Sequence, residues 1–196
     1  NSWQQISAVL QNRQAWKCWL AMLLMGMNWS IEARKWTELL APLHKMSFLR
    51  ALMAILAGVA FAVNTPNRIG EYGGRVLYLP EGKRIQAVSL TLIGSYSQLL
   101  VTLILGSIGL WLLYFGLIDV IPPQGFSSYT IWIRLLCLIL STISVLLLFV
   151  YLRISWLVRW IEKIPGIGKW AKFLLVIDHL PVTILLRVLG WSVLRY

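Results

Sequence analysis

The chain has 196 residues, of which 59% are hydrophobic and 13% charged, and it carries a formal net charge of +11. Soluble domains sit near half apolar and a quarter charged, so this balance excludes an ordinary soluble domain and points to an integral membrane protein. The basic residues flank apolar runs and form no contiguous soluble basic face, which argues against nucleic acid and for anionic lipid headgroups.

At roughly twenty residues per span, there is room for about five membrane spans in a single all-α domain covering residues 1–196. The apolar segments in chain order are 16–31, 48–67, 86–118, 131–152 and 180–196. Residues 2–12 are polar and interfacial in character. The first apolar segment has Trp16, Trp19 and Trp29 near its ends, where tryptophan favours the membrane–water boundary, and Lys17 can snorkel to the headgroups. A charged connector follows with Glu32, Arg34, Lys35, Glu38, His44 and Lys45. The segment 51–67 is free of charge and just long enough to cross if Phe48 and Leu49 contribute.

No charge occurs between Arg84 and Asp119. A helix of that length would measure about 51 Å against a hydrocarbon core of about 30 Å, so its first turns are expected to tilt or to lie in a polar, protein-lined region. Pro122-Pro123-Gln124-Gly125 breaks the chain, and 135–152 is again charge-free. Arg153, Arg159, Lys163, Lys169 and Lys172 surround a glycine-punctuated connector whose flanks, with Trp156, Trp160 and Trp170, read as amphipathic interfacial helices. The chain starts without methionine and its last apolar run is short, so it is read as truncated at both ends.

Lysine and arginine bias makes the connector 116–130 external and 153–172 cytoplasmic. The connectors before and after 51–67 are equally basic (Arg34, Lys35, Lys45 and Arg50 against Arg68, Arg75, Lys83 and Arg84), and both cannot be cytoplasmic if that segment crosses fully. A re-entrant hairpin accommodates both, and broken helices at membrane depth must line a cavity or be buried in protein.

The run from Asn64 to Arg75 is the strongest candidate site, because charges and helix breakers beside a membrane-length apolar segment are costly. On a helix, Arg68, Glu71 and Arg75 share one face, with the glutamate between two guanidiniums and about one positive charge left over. That surplus suits a phosphate or lipid headgroup, for which arginine is the bidentate partner. Pro66, Gly70, Gly73 and Gly74 let the backbone turn and approach a ligand closely. An ion-pair staple that only fixes the hairpin is the competing interpretation. In the next helix Thr91, Ser95, Gln98, Thr102, Gly106 and Gly109 fall on one face. Close helix packing explains such a stripe, and a polar groove lined by Ser95 and Gln98 is the alternative.

Cys18 and Cys137 lie in apolar runs and read as packing thiols. His44 and His179 have no partner at ligand spacing, so neither a metal nor another cofactor is expected. Asp178-His179 reads as an interfacial polar pair, and catalysis within the chain is not expected.

On Thr65-Pro66, Gly70-Glu71 and Arg75, followed by a Leu-rich segment and a long span, the chain resembles the lysylphosphatidylglycerol synthase transmembrane-region family. This is a flippase-like membrane domain also found beside polyprenyl-phosphate glycosyltransferases. Asn28-Trp29 with Glu32, Lys35 and Trp36 fits the preceding helix of one bacterial branch, and Trp191-Ser192-Val193-Leu194-Arg195-Tyr196 looks like the start of a later segment. The chain departs from the family pattern at Gly94-Ser95, where many members carry Glu-Arg, and in placing Arg75 one residue further from Glu71. No part of it resembles the soluble synthase domain. The resemblance implies a multi-pass bacterial inner-membrane protein that binds or moves an anionic phospholipid or a polyprenyl-phosphate lipid. A membrane subunit of a glycosyltransferase or lipid-modifying enzyme, serving a transferase partner, and a non-catalytic membrane scaffold are the alternatives.

Overall fold

Helices form where the apolar runs predict them, and they stop at proline, glycine and polar clusters. The structure, a computed structural model, describes residues 15–66, 69–117, 130–162, 176–178 and 180–196. In chain order these give α1 (Ala15–Leu40), α2 (Phe48–Val63), α3 (Ile69–Val76), a 3-10 turn at Glu81–Lys83, α4 (Arg84–Tyr114), α5 (Thr130–Leu152), α6 (Ile154–Glu162) and α7 (Val182–Leu194). Arg68, Asp119, His179, the Pro122–Gly125 break and most of the basic connector after α6 lie outside the described residues.

Two helical stretches among the described residues, Glu81–Tyr114 and Ile131–Leu152, are long and apolar enough to cross a membrane, and Phe48–Val63 and Val182–Leu194 are shorter apolar helices. The charged stretch expected to be a connector after residue 31 is instead helical. α1 continues through Glu32, Arg34, Lys35 and Glu38 to Leu40, and it buries Glu32 and Lys35. α4 ends at Tyr114, where Gly116 takes φ 67. The Gly116 and Leu117 amides donate to the Leu113 and Leu112 carbonyls, a left-handed glycine cap that satisfies the last carbonyls of the helix.

Side-chain bonds fix the directions of the helices. Tyr96 OH donates to the Leu147 carbonyl at 2.9 Å and Trp111 Nε1 to Ser141 Oγ at 3.0 Å, so α5 runs antiparallel to α4. Ser97 Oγ meets Ser192 Oγ at 2.8 Å and Thr102 Oγ1 meets Tyr196 OH at 2.6 Å, so α7 runs parallel to α4. Trp191 Nε1 donates to Glu38 Oε1 at 3.0 Å, which sets α7 antiparallel to α1. Trp36, Leu39, Ile55, Leu90, Leu100, Tyr151, Leu185 and Val188 form the core between these helices.

α2 and α3 form a tight antiparallel hairpin. A Cβ on Gly74 would stand 2.6 Å from the Gly58 Cα, and one on Gly70 would stand 2.5 Å from the Phe61 carbonyl oxygen. Residues 64–66 make the turn, in which Thr65 Oγ1 donates to the Phe61 carbonyl and accepts the Gly70 amide at 2.8 Å. That bond satisfies an amide at the start of α3, so Thr65→Val is expected to cost about 1 kcal/mol in thermal unfolding. An unchanged melting temperature would show that the hairpin does not need this bond.

Both ends of the hairpin lie together, since Lys83 Nζ donates to the Leu43 carbonyl at 2.8 Å. Of the basic residues counted in the two flanking connectors, Lys35 and Arg75 lie in α1 and α3 and are buried.

The outside of the molecule is strongly apolar. Trp16, Trp19, Met22 and Leu23 on α1 and Ile131, Trp132, Val145, Leu146 and Phe149 on α5 are all more than half exposed. Only 17% of the most apolar stretch of α5 is buried. On α6, Trp156 and Trp160 are exposed and contact each other with ring centroids 5.4 Å apart.

Candidate functional site

Three elements bring charged side chains to one place. Glu32 sits in the polar last third of α1, beyond the apolar 16–31 stretch, and shares a helical face with Asn28 and Lys35 through four- and three-residue spacing. Arg75 projects from the last turn of α3, and Arg195 follows the end of α7. Arg75 reaches Glu32 Oε1 at 3.0 Å through NH1 and pairs with Glu71 through NH2. Arg195 NH1 meets Glu32 Oε2 at 2.8 Å while its Nε donates to Asn28 Oδ1 at 2.6 Å. Lys35 Nζ lies 3.4 Å from Glu32 Oε2. The Arg75 guanidinium also stands 5.9 Å from the centre of a Trp36 ring, a cation–π contact.

Glu32, Lys35 and Arg75 are each at most 5% exposed. Charges so withdrawn from water are tolerated only when paired. Burial opposes ionisation of Glu32, yet Lys35, Arg75 and Arg195 together outweigh it and hold the carboxyl below its ordinary 4.5. Burial also lowers the Lys35 amine below its ordinary 10.5, and Glu32 opposes that shift without cancelling it. The five groups are two carboxylates (Glu32, Glu71) and three cations (Lys35, Arg75, Arg195), a surplus of one positive charge. Arg75 Nε is buried without a hydrogen-bond partner.

The cluster forms the wall of a cleft of about 390 Å³. Glu71, Tyr72 and Arg75 line it from α3, Ser95, Gln98, Leu99 and Thr102 from α4, and Glu32, Arg195 and Tyr196 complete it. Of the residues singled out in the sequence, Glu71, Arg75, Ser95 and Gln98 therefore share one space, while Arg68 lies outside the described residues. Pro66 belongs to the turn. Gly70, Gly73 and Gly74 are inside α3, where Gly70 and Gly74 admit α2 and Gly73 faces open space. The close approach that Gly70 and Gly74 permit is to another helix.

The stripe on α4 meets the packing expectation only at Thr91, which is buried, and at Thr102, which bonds Tyr196. Ser95, Thr102 and Gly106 are exposed, and a Cβ at Gly106 or Gly109 would meet nothing within 4 Å. Packing is carried on other faces by Ser97 against Ser192 and by Ser107 against Ser144 at 3.3 Å. Asp178 pairs with Arg159 at 3.4 Å, away from the cleft, and His179 lies outside the described residues.

Glu32, Lys35, Asn28 and Arg195 were not singled out as site residues from sequence. One signal existed: Glu32 is one of only seven acidic residues and lies one helical turn from both Asn28 and Lys35. Nothing local marks Arg195.

Among the described residues no group of three or more His, Cys, Asp or Glu side chains could hold a metal ion. Both carboxylates of the cleft face arginine. Chemically, fixed cations beside neutral hydrogen-bonding groups could accept an anion. No protein-family model, curated protein or solved structure matches the chain.

Proposed function

We propose that this chain is a multi-pass domain of a bacterial inner membrane that binds, and in the manner of a flippase translocates, a lipid with an anionic phosphate headgroup. The observation that carries the proposal is the cleft itself. A buried cluster with one surplus positive charge opens beside Ser95, Gln98 and Thr102, in a protein whose outer surface is apolar. Arg75 and Arg195 would bind phosphate oxygens, and Glu32 and Glu71 would hold the two guanidiniums in place between ligands. Kinship with the lysylphosphatidylglycerol synthase transmembrane region is part of the same proposal, and it rests on Pro66, Gly70-Glu71 and Arg75. In a membrane, the hairpin of α2 and α3, with both ends on one side, would be a re-entrant element.

The test uses purified protein reconstituted with mixed phospholipids. Native mass spectrometry should show enrichment of anionic over zwitterionic lipid, and headgroup translocation should exceed that of protein-free liposomes. Arg75→Lys keeps the charge but loses the planar fork, and should lower both readouts about tenfold. Gln98→Leu, which leaves the cluster untouched, should lower binding in the same direction. A scaffold is the second reading, favoured because Arg75 is already paired with Glu32 and Glu71. It expects no enriched lipid class and no effect of Gln98→Leu, and that result would end the lipid proposal.

A further inference from the structure

Arg195 and Tyr196 belong to two neighbouring spaces. On one side is the charged cleft, and on the other is a groove of about 490 Å³ between α1 and the end of α7. The groove is walled by Leu24, Met25, Met27, Ile31 and Leu194, with Asn28 at its boundary. Arg195 is held at that boundary by Asn28 and Glu32, and Tyr196 by Thr102. Leu24, Met25 and Met27 are about half exposed, at 53%, 48% and 53%. On the cleft side, the Arg75 side chain is 6% exposed and its Nε has no partner.

We infer that the groove between α1 and α7 receives one acyl chain of a phospholipid whose headgroup occupies the charged cleft. This rests on the lipid-binding proposal above and adds where the hydrocarbon goes. An amphiphile needs a charged site and an apolar channel in contact, and the shared Arg195 and Tyr196 put these two in contact. Methionine walls adapt to flexible chains because the side chain is unbranched and polarisable. Another apolar groove, lined by Ile104, Ile108, Trp111, Val145 and Leu148, fits this role poorly. At 3.6 residues per turn, Ile104, Ile108 and Trp111 fall on the face of α4 opposite Ser95, Gln98 and Thr102, so a chain there would not continue from the headgroup.

The test uses the full chain in phosphatidylcholine nanodiscs with phosphatidylglycerol carrying a diazirine in one acyl chain. After photolysis, peptide mapping should place the label on Leu24, Met25, Met27 or Ile31. Labelling there should fall about tenfold when diacylglycerol with the same diazirine chain replaces the phospholipid. Met27→Trp, which fills the groove from an exposed position, should lower it similarly, and Met22→Trp outside the groove should leave it unchanged.

Labelling concentrated on 104–111 or 145–148, or insensitive to Met27→Trp, would overturn the groove assignment. The lipid-binding proposal would survive that result if phosphatidylglycerol still outcompetes diacylglycerol. Loss of any headgroup preference would overturn both.

Discussion

Glu32→Ala is expected to destabilise the protein by about 3–5 kcal/mol, followed by tryptophan fluorescence during thermal unfolding in detergent. Glu32 is the common partner of Arg75, Arg195 and Lys35, and it lies almost fully out of water. Removing it leaves Lys35 and Arg195 without their carboxylate and leaves Arg75 with Glu71 alone. A buried charge that loses its partner keeps its full desolvation cost. Glu81→Ala is the contrasting case, because Glu81 meets Arg84 at 3.6 Å with its side chain 90% exposed. That change should stay within about 1 kcal/mol.

The pH dependence has a definite sign. The folded-state pKa of Glu32 is depressed, so its stabilising contribution is complete above the ordinary value of 4.5 and is lost as pH falls through the lower folded value. The difference between the wild type and Glu32→Gln should therefore hold from neutral pH to about 4.5 and narrow only in stronger acid. Equal effects of Glu32→Ala and Glu81→Ala would show that the cluster does not organise the fold.

Gly74→Ala and Gly73→Ala are expected to act in opposite directions, although the two positions are adjacent in one helix. A methyl at position 74 would lie 2.6 Å from the Gly58 Cα and 2.7 Å from the Gly58 nitrogen, both backbone atoms that cannot swing aside. α3 would have to move off α2, carrying Glu71 and Arg75 with it. The cost should be on the order of 2–3 kcal/mol, and the displaced Arg75 should also lower lipid binding. At position 73 an added Cβ meets nothing within 4 Å. There, alanine should stabilise the helix by up to about 1 kcal/mol through its better propensity. Thermal unfolding of the two single variants decides this, and destabilisation by both would mean that the hairpin is not held by the Gly58–Gly74 approach.

Much of the architecture can be read along the chain because it is set locally. Uninterrupted apolar runs give α2, α4 and α5, and Gly116 ends α4 as a left-handed cap. The Glu71–Arg75 pair is likewise local, one helical turn apart, and it forms as the spacing predicts. Phase errors explain other differences. The stripe of Thr91, Ser95, Gln98 and Thr102 was legible as one face, but which face of α4 meets a neighbour depends on where α5 and α7 stand. Ser97 and Ser107 carry those contacts. The polar end of α1 looked like a connector because a buried charge and a solvated one are the same letter.

The sequence by itself determined that the chain is helical, strongly apolar outside its connectors, and equipped with a glycine-rich hairpin bearing an i,i+4 ion pair. Only the tertiary structure decided that Glu32 is the centre of the cluster. Its partners Arg75 and Arg195 lie 43 and 163 residues away, and no local rule links such positions. Helix formation depends on neighbours within a turn or two, whereas a buried ion cluster exists only once packing has removed water from all its members at once.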